Sequence, residues 1–375
     1  MNRTSRRAAL ALLAALGLAA SGLAVSGVNT AADAREGRTS GGAKVIASGL
    51  DNPRGLAFAP DGSLYVAESG AGGSGPCFVG PEGPSCFGKS GAVTRIGKWG
   101  HRWTQRRVLT RLPSFGQEGT GNAAIGPSDV AFKGHAMYVT VGLGLDLEFS
   151  NTIPALADMG ELIVATKTRH HRRLKVRTVA DLAEFEDEFN PTGDEENVNP
   201  NSALVSRRGV VVSDAGANDL LLVRKHGRIK VLATFPNRDV DGFSMDEVPT
   251  SVARGLDGAL YVGQLTGFPF PVSGANVYRV GRNGAVTVHA TGFTNIIDIA
   301  FDKRGRLYVL EIFTNGLLSG DPTGALIQVR HNGSQRLVTD DLQTPGGLAL
   351  HRGYAYVSNC GTCADGGEVL RIRLD

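Results

Sequence analysis

Six copies of a two-strand pattern constrain the fold of this chain more than any single motif does. An apolar triplet ending in Val recurs as Leu64-Tyr65-Val66, Met137-Tyr138-Val139, Val210-Val211-Val212, Leu260-Tyr261-Val262, Leu307-Tyr308-Val309 and Ala355-Tyr356-Val357. The central residues are 73, 73, 50, 47 and 48 positions apart, and each triplet begins eight or nine residues after the start of another apolar stretch. A repeat of that size built only from strand-like units predicts a radial β array, because no unit can bury both its faces alone.

Each unit reads as four strands. The innermost are residues 55–58, 129–132, 202–205, 251–253, 298–301 and 347–350, and the triplets follow as second strands. Turn formers such as Asp61-Gly62, Asp257-Gly258 and Asn283-Gly284 separate the strands, and Gly, at 51 residues, is about twice its usual share. Only three residues remain after Ile372, so the sixth unit lacks a fourth strand, while Val45-Ile46-Ala47 stands before the first unit without a partner. Pairing the two closes the ring and removes its exposed edges. The expected architecture is all-β, a six-bladed β-propeller over residues 44–375, its last blade completed by an N-terminal outer strand.

The run from Val45 to Phe58 resembles the NHL-type and lactonase-like propeller superfamily. Three segments are more specific: Asp214-Ala215-Gly216-Ala217-Asn218-Asp219-Leu220, Asp246-Glu247-Val248-Pro249-Thr250-Ser251-Val252 and Gly267-Phe268-Pro269-Phe270-Pro271-Val272. Together they resemble the exported ScyD/ScyE propeller family. The resemblance implies a propeller fold and an extracytoplasmic address, and it brings no established reaction.

Residues 1–34 read as an export signal: Arg3, Arg6 and Arg7 precede an Ala/Leu/Gly run, and Ala32-Asp33-Ala34 offers a small-x-small cleavage site. Ser5-Arg6-Arg7 leaves both a general secretory and a twin-arginine route open. Residues 35–43 read as a flexible linker, and nothing later is long and apolar enough to span a bilayer as a helix. The even cysteine count suggests disulfides among Cys77, Cys86, Cys360 and Cys363. Pairing within each loop is the simplest connectivity, whereas cross-pairing joins the first blade to the sixth at the closure point. A monomer is expected.

In a propeller, the loops from strand four to the next strand one and from strand two to strand three share a face. The long loops here fall on that face, including 67–91, 113–128, 142–161, 183–200, 235–248, 263–276 and 311–324. Most acidic residues fall there too, among them Glu184, Glu186, Asp194, Asp239 and Asp241. The opposite face carries Arg169-His170-His171-Arg172-Arg173 and other basic turns. Phe243, Asp246, Glu247, Phe268, Phe270, Phe293 and Phe313 combine acid with aromatic, which suits an apolar or cationic small molecule.

Residues at inner strand ends are expected to ring the channel mouth: Glu68, Asp129, Asn201, Asp214, Asp298, Glu311 and Asn359. Such oxygen ligands suit Ca²⁺. Calcium-dependent lactonase propellers place comparable ligands there, but Pro53-Arg54-Gly55 lacks the glutamate those enzymes supply. The histidines fall on the opposite face or in an outer strand, which argues against a histidine base on the long-loop face. An exported chain without interleaved stacking aromatics is a poor nucleic-acid binder. The leading expectation is therefore a secreted, non-catalytic propeller that binds a small ligand or an envelope or extracellular partner through the acidic, Phe-rich face. The alternatives are a Ca²⁺-dependent hydrolase or lactonase using channel carboxylates, and a scaffold in envelope or secondary-metabolite processing.

Overall fold

The computed structural model of the protein describes residues 42–80, 83–100, 102–167 and 174–374. The export signal, most of the linker and the Arg169–Arg173 run lie outside the described residues. Six antiparallel four-stranded blades surround an axis. Their innermost strands are Pro53–Phe58, Pro127–Lys133, Pro200–Val205, Pro249–Arg254, Ile296–Phe301 and Gly347–His351. The Val that ends each triplet, Val66, Val139, Val212, Val262, Val309 and Val357, is 0 % exposed, so the repeat in the sequence is the repeat of the core.

The Tyr at the triplet centre has its own task. Tyr65 meets Phe132 of the next blade edge-on with ring centroids 4.8 Å apart, Tyr261 meets Phe301 at 4.8 Å, and Tyr356 meets Phe58 at 4.9 Å. Second strand and following first strand are thereby locked by the same aromatic contact at three of the six blade junctions. Between blades lie apolar clusters, so each blade is held by its neighbours and not by a core of its own.

The N-terminal strand Lys44–Leu50 pairs antiparallel with Gly367–Arg373 and completes the sixth blade. Cys77 bonds Cys86 and Cys360 bonds Cys363, each pair within its own loop. Neither bridge staples the ring. Closure is supported by hydrogen bonds instead: Asn52 N–H donates to the Cys363 carbonyl at 2.8 Å, and Asp365 N–H donates to Asp51 Oδ1 at 2.8 Å.

Two stretches read as loops are structured. In the first blade Gly83–Trp99 and Arg102–Gln117 form one long hairpin reaching into 67–91 and 113–128, because Phe87 stands opposite Phe115 and Cys86 is tied to Cys77 on the added strand Cys77–Gly80. Within 183–200 lies most of an eight-residue helix, α2 (Leu182–Phe189); a four-residue helix, α1 (Leu147–Ser150), precedes it. The Asp181 carboxylate caps α2 by accepting the Glu184 N–H at 2.9 Å.

Candidate axial and loop-face sites

The innermost strands start alike, as Pro-x-small or Pro-x-Asp in most blades, and from the third position Gly55, Asp129, Ser202 and Asp298 face the axial cavity. Asp129 Oδ2 accepts the Ala203 N–H at 2.9 Å and the Ser202 hydroxyl at 3.2 Å, both from the next blade. Asp298 Oδ2 likewise accepts the Leu348 N–H at 2.7 Å, and each Asp also accepts the N–H of the residue after it through Oδ1. The two carboxyls are inter-blade fasteners. Burial pushes Asp129 up to about 7. Burial, aided by the charge of Asp129, pushes Asp298 up to about 8.

The axial cavity is lined by Arg54, Gly55, Ser128, Asp129, Asn201, Ser202, Thr250, Ile297, Asp298 and Gly346. At about 10 Å³ it has room for about one water molecule. Three of the seven expected mouth residues, Asp129, Asn201 and Asp298, line it. Asn201 turns its amide to the Thr250 carbonyl at 2.7 Å. Both oxygens of both Asp side chains already accept backbone N–H bonds, so the axial set offers a cation little.

The other four stand one strand further out and fasten loops. Glu68 accepts the Asp51 N–H at 2.9 Å, Asp214 the Asn199 N–H at 2.7 Å, Glu311 the Thr294 N–H at 2.7 Å and Asn359 the Gln343 N–H at 2.8 Å. In four blades the last side chain of the second strand thus holds the backbone just ahead of the first strand. Burial pushes Glu311 up to about 7.

No known family profile matches the chain, and no curated protein matches it in sequence. Solved structures do. A calcium structure of Carbohydrate-Active Enzymes Family AA12 from Trichoderma reesei is similar with TM-score 0.54 and 13 % identity, over 91 % of this chain and 97 % of that one. The PQQ-bound aldose sugar dehydrogenase of Streptomyces coelicolor gives TM-score 0.50 and 11 % identity over 88 % and 97 % of the two chains. A streptogramin B lyase gives TM-score 0.50 and 11 % identity over 89 % and 97 %. At such identity the likeness is one of fold alone: a six-bladed β-propeller.

On the long-loop face the expected ligand residues divide. Phe243 rides on a short hairpin, Arg238–Val240 with Phe243–Met245, is 48 % exposed, and meets the half-buried Phe268 edge-on at 5.0 Å. Phe270, buried, backs Phe268 at 6.3 Å. Asp246 is exposed beside this ridge, close enough to Gly267 that a Cβ there would come within 2.9 Å of its own Cβ. Asp239 and Asp241 on the same hairpin are exposed as well.

Glu247, Phe293 and Phe313 are placed differently. Glu247 is buried and held by Arg238 Nε at 2.5 Å, by Gln264 Nε2 at 2.6 Å and by the Tyr278 hydroxyl. Phe293 ends an outer strand with its ring 0 % exposed in the core between blades 4 and 5, and Phe313 packs half-buried against the next cluster. The sequence reading did not single out Asp219 and Asn197. Their signal was the second Asp of the Asp214–Asp219 turn and the amide just before the third blade.

Proposed function

We propose that the protein is an extracytoplasmic binding propeller of the ScyD/ScyE type that takes a cationic ligand, a small organic cation or a Lys/Arg-bearing segment of a partner, on the Phe243–Phe268 ridge. The single observation that carries this reading is a solvent-reaching edge-to-face aromatic pair flanked by the exposed Asp239, Asp241 and Asp246, none of which is in an ion pair among the described residues. A ring face next to carboxylates is what a cation–π contact needs. Arg238, the nearby guanidinium, is engaged by Glu247 and leaves the acidic ridge uncompensated. The two disulfides support an oxidising compartment.

The test uses benzyltrimethylammonium as probe, followed by NMR or calorimetry at low and high salt. Saturable binding, weakened by salt and reduced about tenfold or more in Phe243→Ala and Phe268→Ala, is expected for a contact of roughly 1–2 kcal/mol. Absence of saturable binding, or binding indifferent to both substitutions, rejects the reading. A hydrolase acting through the axial carboxyls is the second reading, favoured by Asp129 and Asp298 facing one cavity with proton affinities near neutrality. Lactone hydrolysis lost in Asp298→Asn but kept in Phe243→Ala selects it instead.

A further inference from the structure

Asp214 ends the second strand of blade 3, Asp219 begins the third, and the two stand directly opposite in the ladder. Side chains so paired project to one face with Cβ atoms roughly 5 Å apart, where like charges repel. Asp219 is 0 % exposed, and neither carboxylate oxygen has a hydrogen-bond partner. Asp214 is equally hidden; its Oδ1 accepts N–H bonds from Asn199, Gly216 and Ala217, whereas its Oδ2 accepts none.

A third carboxylate comes from α2. Glu186 lies on the buried face of that helix one turn after Leu182, and both its oxygens are unpartnered at 1 % exposure. An apolar side chain is what that helical position asks for, and an unpaired Glu there breaks the local pattern in the manner of a functional site. The helix packs against Asn197–Val198, and Asn197 Oδ1 is unpartnered as well. That oxygen overhangs the turn between the two Asp residues, since a Cβ on Gly216 would come within 2.6 Å of it. Among the described residues, none of the ion pairs involves these carboxylates.

Buried carboxylates persist when they are paired with a cation or a metal. We propose that Glu186, Asn197, Asp214 and Asp219 form an off-axis site for a hard divalent cation, Ca²⁺ foremost. They bring six free oxygens, two each from Glu186 and Asp219 and one each from Asp214 and Asn197, and Ca²⁺ takes 6–8 such ligands. As placed, the three carboxylates do not all lie within 4.8 Å of one another, so the proposed site requires the Glu186 side chain to turn inward on binding, a movement that breaks no hydrogen bond of its carboxylate. Half-buried Glu196 marks the solvent side. Binding ties α2 and the 197–199 strand to blade 3 and so sets the shape of that part of the long-loop face.

The experiment is a thermal melt of the chelator-stripped full chain with and without CaCl₂, paired with calorimetric titration of Ca²⁺. One equivalent of Ca²⁺ and a rise in Tm of about 5 °C at a thousandfold excess over Kd are expected. Asp219→Asn and Glu186→Gln each abolish the rise or weaken binding at least tenfold, and both melt at or above the stripped parent without Ca²⁺, since each removes a repelling buried charge. Asp298→Asn, on the axis, keeps the full response. The proposal is overturned if the parent shows no bound Ca²⁺ and no shift, or if the shift survives in Asp219→Asn and Glu186→Gln, or if it vanishes only in Asp298→Asn. Should Asp219→Asn fail to fold, Glu186→Gln decides alone.

Discussion

Gly55 lies so close to Asp129 of the following blade that a Cβ on it would come within 2.2 Å of Asp129 Oδ1. The missing side chain at one blade makes room for the carboxyl that fastens the next pair. Gly55→Ala should therefore destabilise the fold by roughly 1–3 kcal/mol through overpacking. Adding Asp129→Ser to Gly55→Ala should recover part of that loss, a coupling that a double-mutant cycle in urea detects. Additive losses in that cycle count against the contact.

The axial carboxyls predict a pH dependence. Asp129 and Asp298 hold protons to about 7 and about 8 in the folded state, whereas an ordinary Asp gives its proton up near 3.8. Because folded pKa values are raised, the folded state binds more protons across that window, and stability falls as pH rises. The contribution is complete below the unfolded value and is lost as pH climbs through the folded values, at about 1.4 kcal/mol per pH unit for each carboxyl. Asp298→Asn removes one of the two titrations. Denaturation of the parent and this variant between pH 5 and 8, in chelator, should give a shallower slope for the variant; equal slopes reject the assignment.

Particular residues show what the sequence made legible. The six Val residues that end the triplets are wholly buried, and Val45-Ile46-Ala47 does pair with the last strand, because spacing and apolar content carry that information directly. Direction of a side chain is harder to read. Glu68, Asp214, Glu311 and Asn359 have the chemistry of metal ligands, yet sit one strand from the axis, where each is claimed by a backbone N–H and Glu68 by Arg107 and Thr94 as well. Phe293, counted with a loop by position, ends a strand and turns inward. Asp181 and Glu184 carried an N-terminal helix signal before Leu182, Phe185 and Phe189, which the run of acids around them obscured.

Closure gives a further prediction. Strand Lys44–Leu50 covers the edge of Gly367–Arg373 and buries Ile46, Ala47 and Leu50. Deleting residues 44–50 leaves that edge unpaired, so the truncated chain should self-associate on size exclusion and lose amide protection over 367–373 while blades 3 and 4 keep theirs. Both disulfides lie within loops of sequence separation 9 and 3, so reduction of the intact chain should spare protection at 367–373. Loss of that protection on reduction alone contradicts hydrogen-bonded closure.

Arg107 supplies the last prediction, because it neutralises a carboxylate that nothing else can. Glu68 is 0 % exposed and takes Arg107 Nη2 at 2.6 Å and Nε at 3.1 and 3.2 Å, as well as the Thr94 hydroxyl at 2.5 Å. The same Nη2 reaches Asp51 at 2.7 Å, so one guanidinium spans the end of the second strand and the segment entering the first. Removing it strands a buried charge, which costs more than the pair itself contributes. Arg107→Ala should destabilise by roughly 2–4 kcal/mol, toward the low end because the guanidinium is half open to solvent and partly screened. Arg107→Lys should recover only part, since an ammonium cannot reproduce the forked contact. Glu68→Gln in the Arg107→Ala background should restore stability, because the unpaired charge goes with it. Urea denaturation of the parent, Arg107→Ala, Glu68→Gln and the double variant measures the cycle, and an Arg107→Ala variant as stable as the parent rules out this ion pair as the anchor of the first blade.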